Sequence, residues 1–254
     1  NCARVAMDKG IETMVCFFGT ETARLLEQKS LQADLLLGNN VLAHVPDIND
    51  FVQGLKIVLK PEGVITLEFP HLMRLIEGRQ FDTIYHEHYS YLSLIAVNKI
   101  LEFHDLRIFD VEELSTHGGS LRLYVKHKED KSKLESQNVK KLLDIEKTFG
   151  LDNIETYLDF GQQVNQIKRD LLAFLIEQKK QGKRIVGYGA PAKGNTLLNF
   201  CGIRNDFIDY TVDKSDFKQG KYLPGVHIPV LAPEKIIQDK PDFLLILPWN
   251  LKDE

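Results

Sequence analysis

The sequence is poor in cysteine and nearly balanced in charge. Among 254 residues there are three cysteines, Cys2, Cys16 and Cys201, and no C-x-x-C pair. This count excludes a four-cysteine zinc site within the chain and predicts a reducing compartment. The net charge of −4 argues against a nucleic-acid binder that works through a general positive field.

Long hydrophobic runs are absent as well. No apolar stretch approaches the roughly 20 residues of a membrane-spanning helix. Together with the few cysteines, this predicts a cytoplasmic protein without a membrane contact. The chain has no initial methionine and stops soon after a buried-looking strand, Phe243–Pro248. We therefore expect a parent protein that is longer at both ends.

Residues 1–126 alternate between strand and helix patterns, which predicts a doubly wound α/β domain. One strand, Asp34–Leu37, is almost entirely apolar, as is usual for a strand covered on both faces of a parallel sheet. The full set of predicted elements is strand Thr13–Phe18, helix Glu21–Lys29, strand Asp34–Leu37, helix Asp47–Lys60, strand Val64–Phe69, helix Leu94–His104 and strands Arg107–Leu114 and Ser120–Lys126.

The rest of the chain predicts two further parts. Residues 127–182 are charged and helix-favouring, with apolar stripes on one side, and indicate a helical bridge. Residues 183–254 return to an α/β pattern and predict a smaller Rossmann-like domain, truncated at its end. Its predicted elements are strand Arg184–Gly187, helix Thr196–Cys201 and strands Phe207–Val212 and Phe243–Leu247.

The densest chemistry lies in the ten residues Asp82–Tyr91, which hold two histidines, one glutamate and three tyrosines. Burying such groups without partners costs several kcal/mol each, so a role in moving a proton near neutral pH is favoured. A metal site is the alternative. His86-x-His88 would point both rings one way on a strand, but H-E-x-x-H fails at Ser90. We therefore predict an acid or base here and no metal.

A glycine-rich turn after the strand Arg184–Gly187 indicates anion binding. Gly187, Gly189 and Ala192 fit G-x-G-x-x-G/A, and Asp213 ends the next strand near the spacing of a ribose-binding acid. The P-loop pattern fails because asparagine stands where lysine is required. Lys193 is the expected charged contributor, although such turns also serve only to pack a helix against a strand.

Asn39, Asn40 and His44 follow the apolar strand ending at Leu37. Open α/β sheets bind ligands at the carboxyl ends of their strands, which favours a functional role. The alternative is that the two asparagines are turn residues. His117-Gly-Gly-Ser120-Leu-Arg122 is interpreted by default as a hairpin turn into a strand.

The ordered motifs resemble the sugar-nucleotide C-methyltransferases, a family of class I S-adenosylmethionine-dependent enzymes that methylate ketosugars in deoxysugar biosynthesis. The resemblance covers essentially the whole chain. Its motifs are Asn40-Val-Leu-Ala-His44-Val-Pro-Asp47, Leu59-Lys-Pro-Glu-Gly63, Tyr85-His-Glu-His88, His117-Gly-Gly-Ser-Leu-Arg122, Gly187-Tyr-Gly-Ala-Pro-Ala-Lys-Gly194, Lys218-Gln-Gly-Lys-Tyr-Leu-Pro-Gly225 and Leu247-Pro-Trp-Asn250.

Departures from the family are all absences. Family members begin with a small cysteine-rich zinc-binding domain, so zinc is expected only in that missing part. The glycine-rich turn after the first methyltransferase strand and the acid after the second strand are missing too. These are the main elements that bind the cofactor in the family. The chain alone is therefore expected to bind S-adenosylmethionine poorly or not at all, whereas an uncut parent is expected to bind it.

The resemblance implies roles for individual residues. The base that removes a proton α to the ketone is assigned to His88, with Tyr85, Glu87 and His44 in the same pocket. The cofactor is assigned to Asn39, Asn40 and Phe18. The nucleotide diphosphate of the sugar substrate is assigned to Gly187, Gly189 and Lys193, with Arg122 as a further substrate contact.

Two other functional classes stay open at this point. One is a nicotinamide-dependent sugar-nucleotide enzyme that uses the Gly187 turn and shows an absorbance change with NAD(H). The other is a non-catalytic remnant that only binds a nucleotide sugar, since the cofactor loop is missing.

Overall fold

The computed structural model describes residues 2–252, which form two units. The first unit comprises the described residues through Phe69, Tyr89–Leu114 and Ser120–Glu146. The second comprises Pro70–His88, Ser115–Gly119 and the described residues from Lys147 onward. The chain therefore leaves the first unit and returns to it twice.

The elements follow one another in a largely alternating order. They are α1 (Cys2–Asp8), α2 (Thr20–Gln28), β1 (Ala33–Asn39), α3 (Ile48–Val58), β2 (Leu59–Pro70), α4 (Leu72–Glu77), α5 (Leu94–Phe103), β3 (Leu106–Leu114), β4 (Ser120–His127), α6 (Gln137–Phe149), α7 (Ile154–Lys180), β5 (Ile185–Tyr188), α8 (Ala192–Cys201), β6 (Thr211–Val212), β7 (Val230–Leu231), α9 (Glu234–Asp239) and β8 (Phe243–Ile246). Short 3-10 turns occur at Leu42–His44, Phe81–Thr83, Thr116–Gly118 and Trp249–Leu251.

The first unit contains a four-stranded sheet in the order β1-β2-β4-β3. β1 and β2 run parallel, and β3 and β4 form an antiparallel pair. The sheet and helices α3 and α5 share one hydrophobic core, in which Phe69, Leu101 and Leu123 are fully buried. This mixed sheet confirms the predicted α/β class.

Local capping explains where the two core helices begin. The Asp47 carboxylate accepts a hydrogen bond from the backbone N–H of Asp50 at 2.9 Å, and the Ser93 hydroxyl accepts one from Ala96 at 3.1 Å. Such N-caps satisfy backbone donors that have no partner inside the helix. The predicted helix Asp47–Lys60 ends earlier, at Val58, because the chain passes directly into β2.

Two predictions about the first strands were wrong. Residues 11–18 contain no helix or strand, and Val15 and Phe17 are 74% and 99% exposed. Their β propensity has no effect because they pair with no strand in the described part of the chain. The strand Asp34–Leu37 does form, within β1, but it lies at the edge of its sheet and its Leu37 side chain is 70% exposed rather than covered on both faces.

The second unit contains a four-stranded parallel sheet in the order β7-β6-β5-β8. β5 is followed by strands on one side, β6 and β7, and the chain then crosses back to place β8 on its other side. This reversal is the topological switch point of doubly wound sheets, where ligands bind beyond the carboxyl ends of the strands. The predicted strand Phe207–Val212 is much shorter, because only Thr211 and Val212 pair.

Candidate functional site

Polar residues lie at the carboxyl end of β1 in the first unit's sheet. Asn39, the last residue of β1, pairs in register with Glu68 of β2. The next residue, Asn40, has a left-handed φ of 52° and its N–H donates to the Glu68 carbonyl at 2.7 Å. Both asparagine residues are exposed. Two carboxamides in a fixed turn can donate to and accept from a polar ligand, so this end of β1 fits a cofactor contact.

Arg122, near the start of β4, forms ion pairs with two carboxylates of the same unit. Its guanidinium donates to the largely buried Glu68 carboxylate at 2.9 Å and lies 3.5 Å from Glu112. The hydrogen bond that Arg122 donates to Glu68 raises the pKa of Arg122. The guanidinium of Arg122 is therefore paired with carboxylates of its own sheet. Its proposed contact with the substrate stays a prediction.

His44 and Phe18 also lie in the first unit. His44 ends a 3-10 turn whose preceding residue, Ala43, accepts backbone hydrogen bonds from Tyr89 at 2.8 Å and Ser90 at 3.2 Å. The ring of Phe18 packs edge-on against Phe51 of α3, with 5.5 Å between ring centroids. Phe18 thus contributes to the core around α3, and its cofactor role stays a prediction.

The second unit brings Tyr85 and His88 together. They lie in a turn in which the His88 N–H donates to the Tyr85 carbonyl at 3.2 Å. Their rings are 4.9 Å apart between centroids and inclined by 30°. The turn is not part of a helix or a strand, so the placement of the two rings is set by local turn geometry and by the residues that anchor the turn.

The phenol of Tyr85 is kept in its protonated form. Burial raises its pKa above the ordinary value, and the charges of Glu87 and Asp82 raise it further. A protonated phenol next to an imidazole combines a hydrogen-bond donor with a ring that can accept a proton. This arrangement can remove one proton and stabilise the negative charge that results.

The glycine turn lies at the switch point of the second sheet. Gly187 is within β5, where a Cβ atom would lie 2.7 Å from the Thr211 hydroxyl. Gly189 has a φ of 85°, and its Cβ would lie 2.5 Å from Pro248, which follows β8. Close packing between neighbouring strand ends accounts for both glycines, so any ligand contact they make is additional to this role.

Lys193 projects from the first turn of α8 towards the segment that follows β8. Its ammonium group donates to the side-chain oxygen of Asn250 at 2.6 Å and lies 4.8 Å from the centroid of the Trp249 ring. Burial lowers the pKa of Lys193, while the charge of Asp82 opposes that shift. The structure therefore places a partly buried cation at the switch point.

Asp82 completes this cluster in the second unit. Its carboxylate accepts a 2.7 Å hydrogen bond from the indole N–H of Trp249, and the residue is 5% exposed. Burial raises the pKa of Asp82, although the Trp249 hydrogen bond and the charge of Lys193 counteract the rise. We call Asp82, Lys193, Trp249 and Asn250 the switch-point cluster.

Sequence reasoning missed three members of the switch-point cluster and Glu68 of the first unit. Asp82 opens the histidine–tyrosine stretch, and Trp249 and Asn250 belong to the motif Leu247-Pro-Trp-Asn250, but no role was assigned to them. Trp249 is the single tryptophan of the chain, and this was the sequence feature that could have indicated its role.

Within residues 2–252, no cluster of three or more His, Cys, Asp or Glu side chains is arranged to hold a metal ion. None of the helices in this range combines the length and the apolar character needed to cross a membrane.

Similarity to known proteins decides the family. The family described as C-methyltransferase C-terminal domain matches residues 115–254, more than half of the chain. The chain belongs to this C-methyltransferase family. The C-methyltransferase NovU of Streptomyces niveus is 35% identical over all 254 residues, and the chain spans 60% of the length of that protein.

Several solved methyltransferases match parts of the chain. A SAM-dependent methyltransferase from Anabaena variabilis matches 46% of the chain and 58% of its own length, with 13% identity and a TM-score of 0.36. Magnesium protoporphyrin IX methyltransferase from Synechocystis, solved with bound SAH, matches 37% of the chain and 44% of its own length, with 17% identity and a TM-score of 0.30. Likenesses at these scores are too partial to add to the family assignment.

Proposed function

We propose that the protein containing this chain transfers a methyl group from S-adenosylmethionine to a carbon atom of a nucleotide-linked ketosugar. Membership of the C-methyltransferase family supports the methyl transfer to carbon. The observation that carries the mechanism is the contact between the rings of Tyr85 and His88 beside the buried Asp82.

S-adenosylmethionine would supply an electrophilic methyl group. In this chain, Asn39 and Asn40 are the residues proposed to contact it, because their exposed carboxamides follow the parallel strand β1 at its carboxyl end. The Asn40 N–H is tied to the Glu68 carbonyl, so the turn that carries both side chains is fixed before any ligand arrives.

His88 is the proposed base. A carbon atom next to a ketone becomes nucleophilic only when one of its protons is removed, and imidazole has a pKa suited to accepting that proton near neutral pH. Proton removal leaves an enolate whose negative charge is on the former ketone oxygen. The enolate carbon would then attack the methyl group of S-adenosylmethionine in line, so that the new C–C bond forms as the S–CH3 bond breaks, S-adenosylhomocysteine leaves and the ketone is restored. Holding the two reactants together would supply much of the acceleration.

Tyr85 is the proposed donor to the enolate oxygen. Its raised pKa keeps the phenol protonated at neutral pH, and donors aimed at a developing oxyanion are among the strongest catalytic contributions. Glu87, whose charge contributes to that raised pKa, is proposed to orient the base or to bind a sugar hydroxyl.

The switch-point cluster is the proposed site for the nucleotide diphosphate. Lys193 offers a cation beyond the carboxyl ends of β5 and β8, where doubly wound sheets bind nucleotides. The adjacent glycine turn allows the backbone to come close to phosphate oxygens. A diphosphate bound to this cation would hold one end of the substrate in place while the sugar is methylated.

Proton exchange in D₂O tests the base without the methyl donor. When the whole protein is mixed with a nucleotide-linked deoxyketosugar, the proton on the carbon next to the ketone should exchange for deuterium from the solvent. His88→Asn should slow this exchange by about 10²-fold or more, the usual contribution of a general base. His227→Asn is the matched control, because His227 is an exposed histidine of the same unit with a left-handed φ of 56° that asparagine tolerates.

The exchange experiment has a clear negative result. Exchange that is equally fast in the unmodified protein and in His88→Asn removes His88 from the role of base. Binding of the nucleotide sugar with neither exchange nor methyl transfer in the whole protein would support the non-catalytic alternative instead.

A further inference from the structure

The chain immediately before the Tyr85–His88 turn is held at three consecutive residues. The side-chain amide of Gln80 donates to the Gly118 carbonyl at 2.9 Å. The ring of Phe81 contacts that of Phe200, with 5.1 Å between centroids. Asp82 then accepts the indole N–H of Trp249 at 2.7 Å. The catalytic turn begins only three residues later, so its starting point is fixed by these contacts.

Trp249 is itself immobilised from several directions. The Lys193 ammonium group lies over its face. Gly118 approaches its edge so closely that a Cβ atom there would be 2.9 Å from the ring. Trp249 also begins a 3-10 turn directly after Pro248, and Pro248 lies against Gly189. An indole immobilised in this way can anchor a neighbouring segment through its N–H group.

A carboxylate is a costly choice for the partner of this indole. Burying an ionised group carries a large desolvation cost, and a neutral acceptor would satisfy a single N–H equally well. What a carboxylate adds is a shorter, stronger and more directional hydrogen bond. The geometry therefore indicates selection for orientation rather than for stability alone.

We propose that Asp82 is a positioning residue that acts through Trp249 to hold the Tyr85–His88 turn in its reactive arrangement beside the switch-point cluster. The catalytic consequence rests on the proposed function, whereas the ordering of the turn rests on the contacts alone. Because Trp249 also lies against Lys193, the cation proposed to bind the diphosphate, the same indole connects the substrate's anchor to the base.

Amide hydrogen exchange tests the ordering without any enzymatic turnover. The His88 N–H, bonded to the Tyr85 carbonyl, reports whether the turn is held. Asp82→Ala and Trp249→Phe should each speed its exchange by about 10-fold, since each removes one hydrogen bond worth roughly that factor. The Gly187 N–H, bonded to the Tyr210 carbonyl in the second sheet, should keep its rate.

Two further variants separate a specific link from general damage. Asp82→Asn retains an acceptor oxygen and should restore most of the protection of the His88 amide. The double variant Asp82→Ala/Trp249→Phe should exchange no faster than either single variant, because both remove the same bond. The single indole N–H signal of the chain, from Trp249, should shift in every Asp82 variant and so confirm that the bond has changed.

Kinetics of the whole protein give the second readout. Asp82→Ala should lower kcat for methyl transfer by about 10- to 100-fold, the range found when the supporting partner of an active group is removed. The KM for the methyl donor should change little, because Asn39 and Asn40, the residues proposed to contact it, are unaltered. Asp209→Asn is the matched control, a carboxylate of the same unit that pairs with Lys179 and Arg184.

Each outcome decides the proposal. Faster exchange at His88 alone, with rescue by asparagine, supports it. Unchanged exchange at His88, or equal acceleration at His88 and Gly187, overturns it, because the contact then orders nothing or stabilises the whole unit. If the unmodified protein transfers no methyl group, the proposed function fails, and the exchange result still decides the role of Asp82.

Discussion

The carboxylate of Asp213 accepts a 2.8 Å hydrogen bond from the backbone N–H of Ala190, so the acid after β6 is bonded to the glycine turn after β5. The same carboxylate accepts from the Ser215 N–H at 2.9 Å and from Lys218 at 3.1 Å. An acid that binds the ribose of a dinucleotide needs free oxygen atoms at this position. Here the side chain holds the turn in shape instead.

The first prediction concerns the stability that Asp213 provides. Burial raises its pKa, but the hydrogen bonds from Ser215, Ala190 and Lys218 outweigh it and leave the pKa below the ordinary value. Asp213→Ala should lower the free energy of unfolding by about 2–3 kcal/mol at pH 7, since two backbone donors lose their acceptor. Urea unfolding measures this loss.

The pH dependence of that loss follows from the sign of the shift. A carboxyl group with a lowered pKa in the folded state contributes stability above its unfolded pKa of about 3.9, and this contribution disappears as the pH falls through the folded value. The difference between the unmodified protein and Asp213→Ala should therefore narrow below pH 4. A difference that stays constant down to low pH contradicts the assignment.

The second prediction concerns the phenol of Tyr85. Because its pKa is raised above 10, methyl transfer should not lose activity through Tyr85 ionisation below that pH. Tyr85→Phe should lower kcat by about 10²-fold through loss of the donor to the enolate oxygen. A pH series of kcat for both proteins is the test, and equal rates in the two would leave the phenol without a catalytic role.

The third prediction concerns a buried carboxylate in the first unit. Glu146 of α6 is fully buried, and its two oxygens accept the backbone N–H groups of Leu94 and Ile95, at 2.7 and 2.8 Å, at the start of α5. Glu146→Gln replaces one acceptor oxygen by a donor and should cost about 1–3 kcal/mol of unfolding free energy.

A matched exposed pair provides the comparison for Glu146. Glu135 bonds to Arg107 at 2.6 Å, but its side chain is 46% exposed. Glu135→Gln should cost less than about 1 kcal/mol, as is usual for surface ion pairs. Equal losses in the two variants would mean that burial and helix capping are not what makes Glu146 important.

The fourth prediction separates stability from function at Asp82. Burial raises its pKa above the unfolded value, so the folded state binds its proton more tightly. The stability it contributes is present below the unfolded pKa of about 3.9 and is lost as the pH rises through the folded value. Asp82→Asn removes this dependence and should leave the protein at least as stable as the unmodified chain at pH 7.

Thermal unfolding of both proteins between pH 4 and pH 8 measures this effect. The unmodified protein should lose stability relative to Asp82→Asn as the pH rises across this range. A variant that is markedly less stable at pH 7 would show that the ionised carboxylate serves the fold, contrary to the argument for a positioning role.

The sequence predicted the elements whose signals are local. Helices α2, α3 and α5 carry an apolar face over two or three turns, so periodicity was sufficient to predict them. The caps that the structure shows at Asp47 and Ser93 agree with where α3 and α5 begin. β6 is reduced to Thr211 and Val212, and β7 consists of only two residues, Val230 and Leu231, which is too short for any period to be detected.

The site was predicted in part for the same reason. Tyr85 and His88 are close in sequence, so their contact could be anticipated from the cluster. Asp82 and Trp249 are separated by 167 residues, and only the tertiary packing of the second unit brings them together. Glu68 gave no signal because an acid within a strand is ordinary until its partner, Arg122, is known.

The central claim is methyl transfer to carbon, and labelled methyl transfer tests it most directly. The whole protein should be incubated with S-adenosylmethionine carrying a ¹³C methyl group and a nucleotide-linked deoxyketosugar, and the product examined by NMR. The account predicts a new ¹³C methyl group bonded to a sugar carbon next to the ketone, formed by the unmodified protein and nearly absent with His88→Asn. Label on a sugar oxygen, or no transfer together with an absorbance change on adding NAD(H), would contradict it.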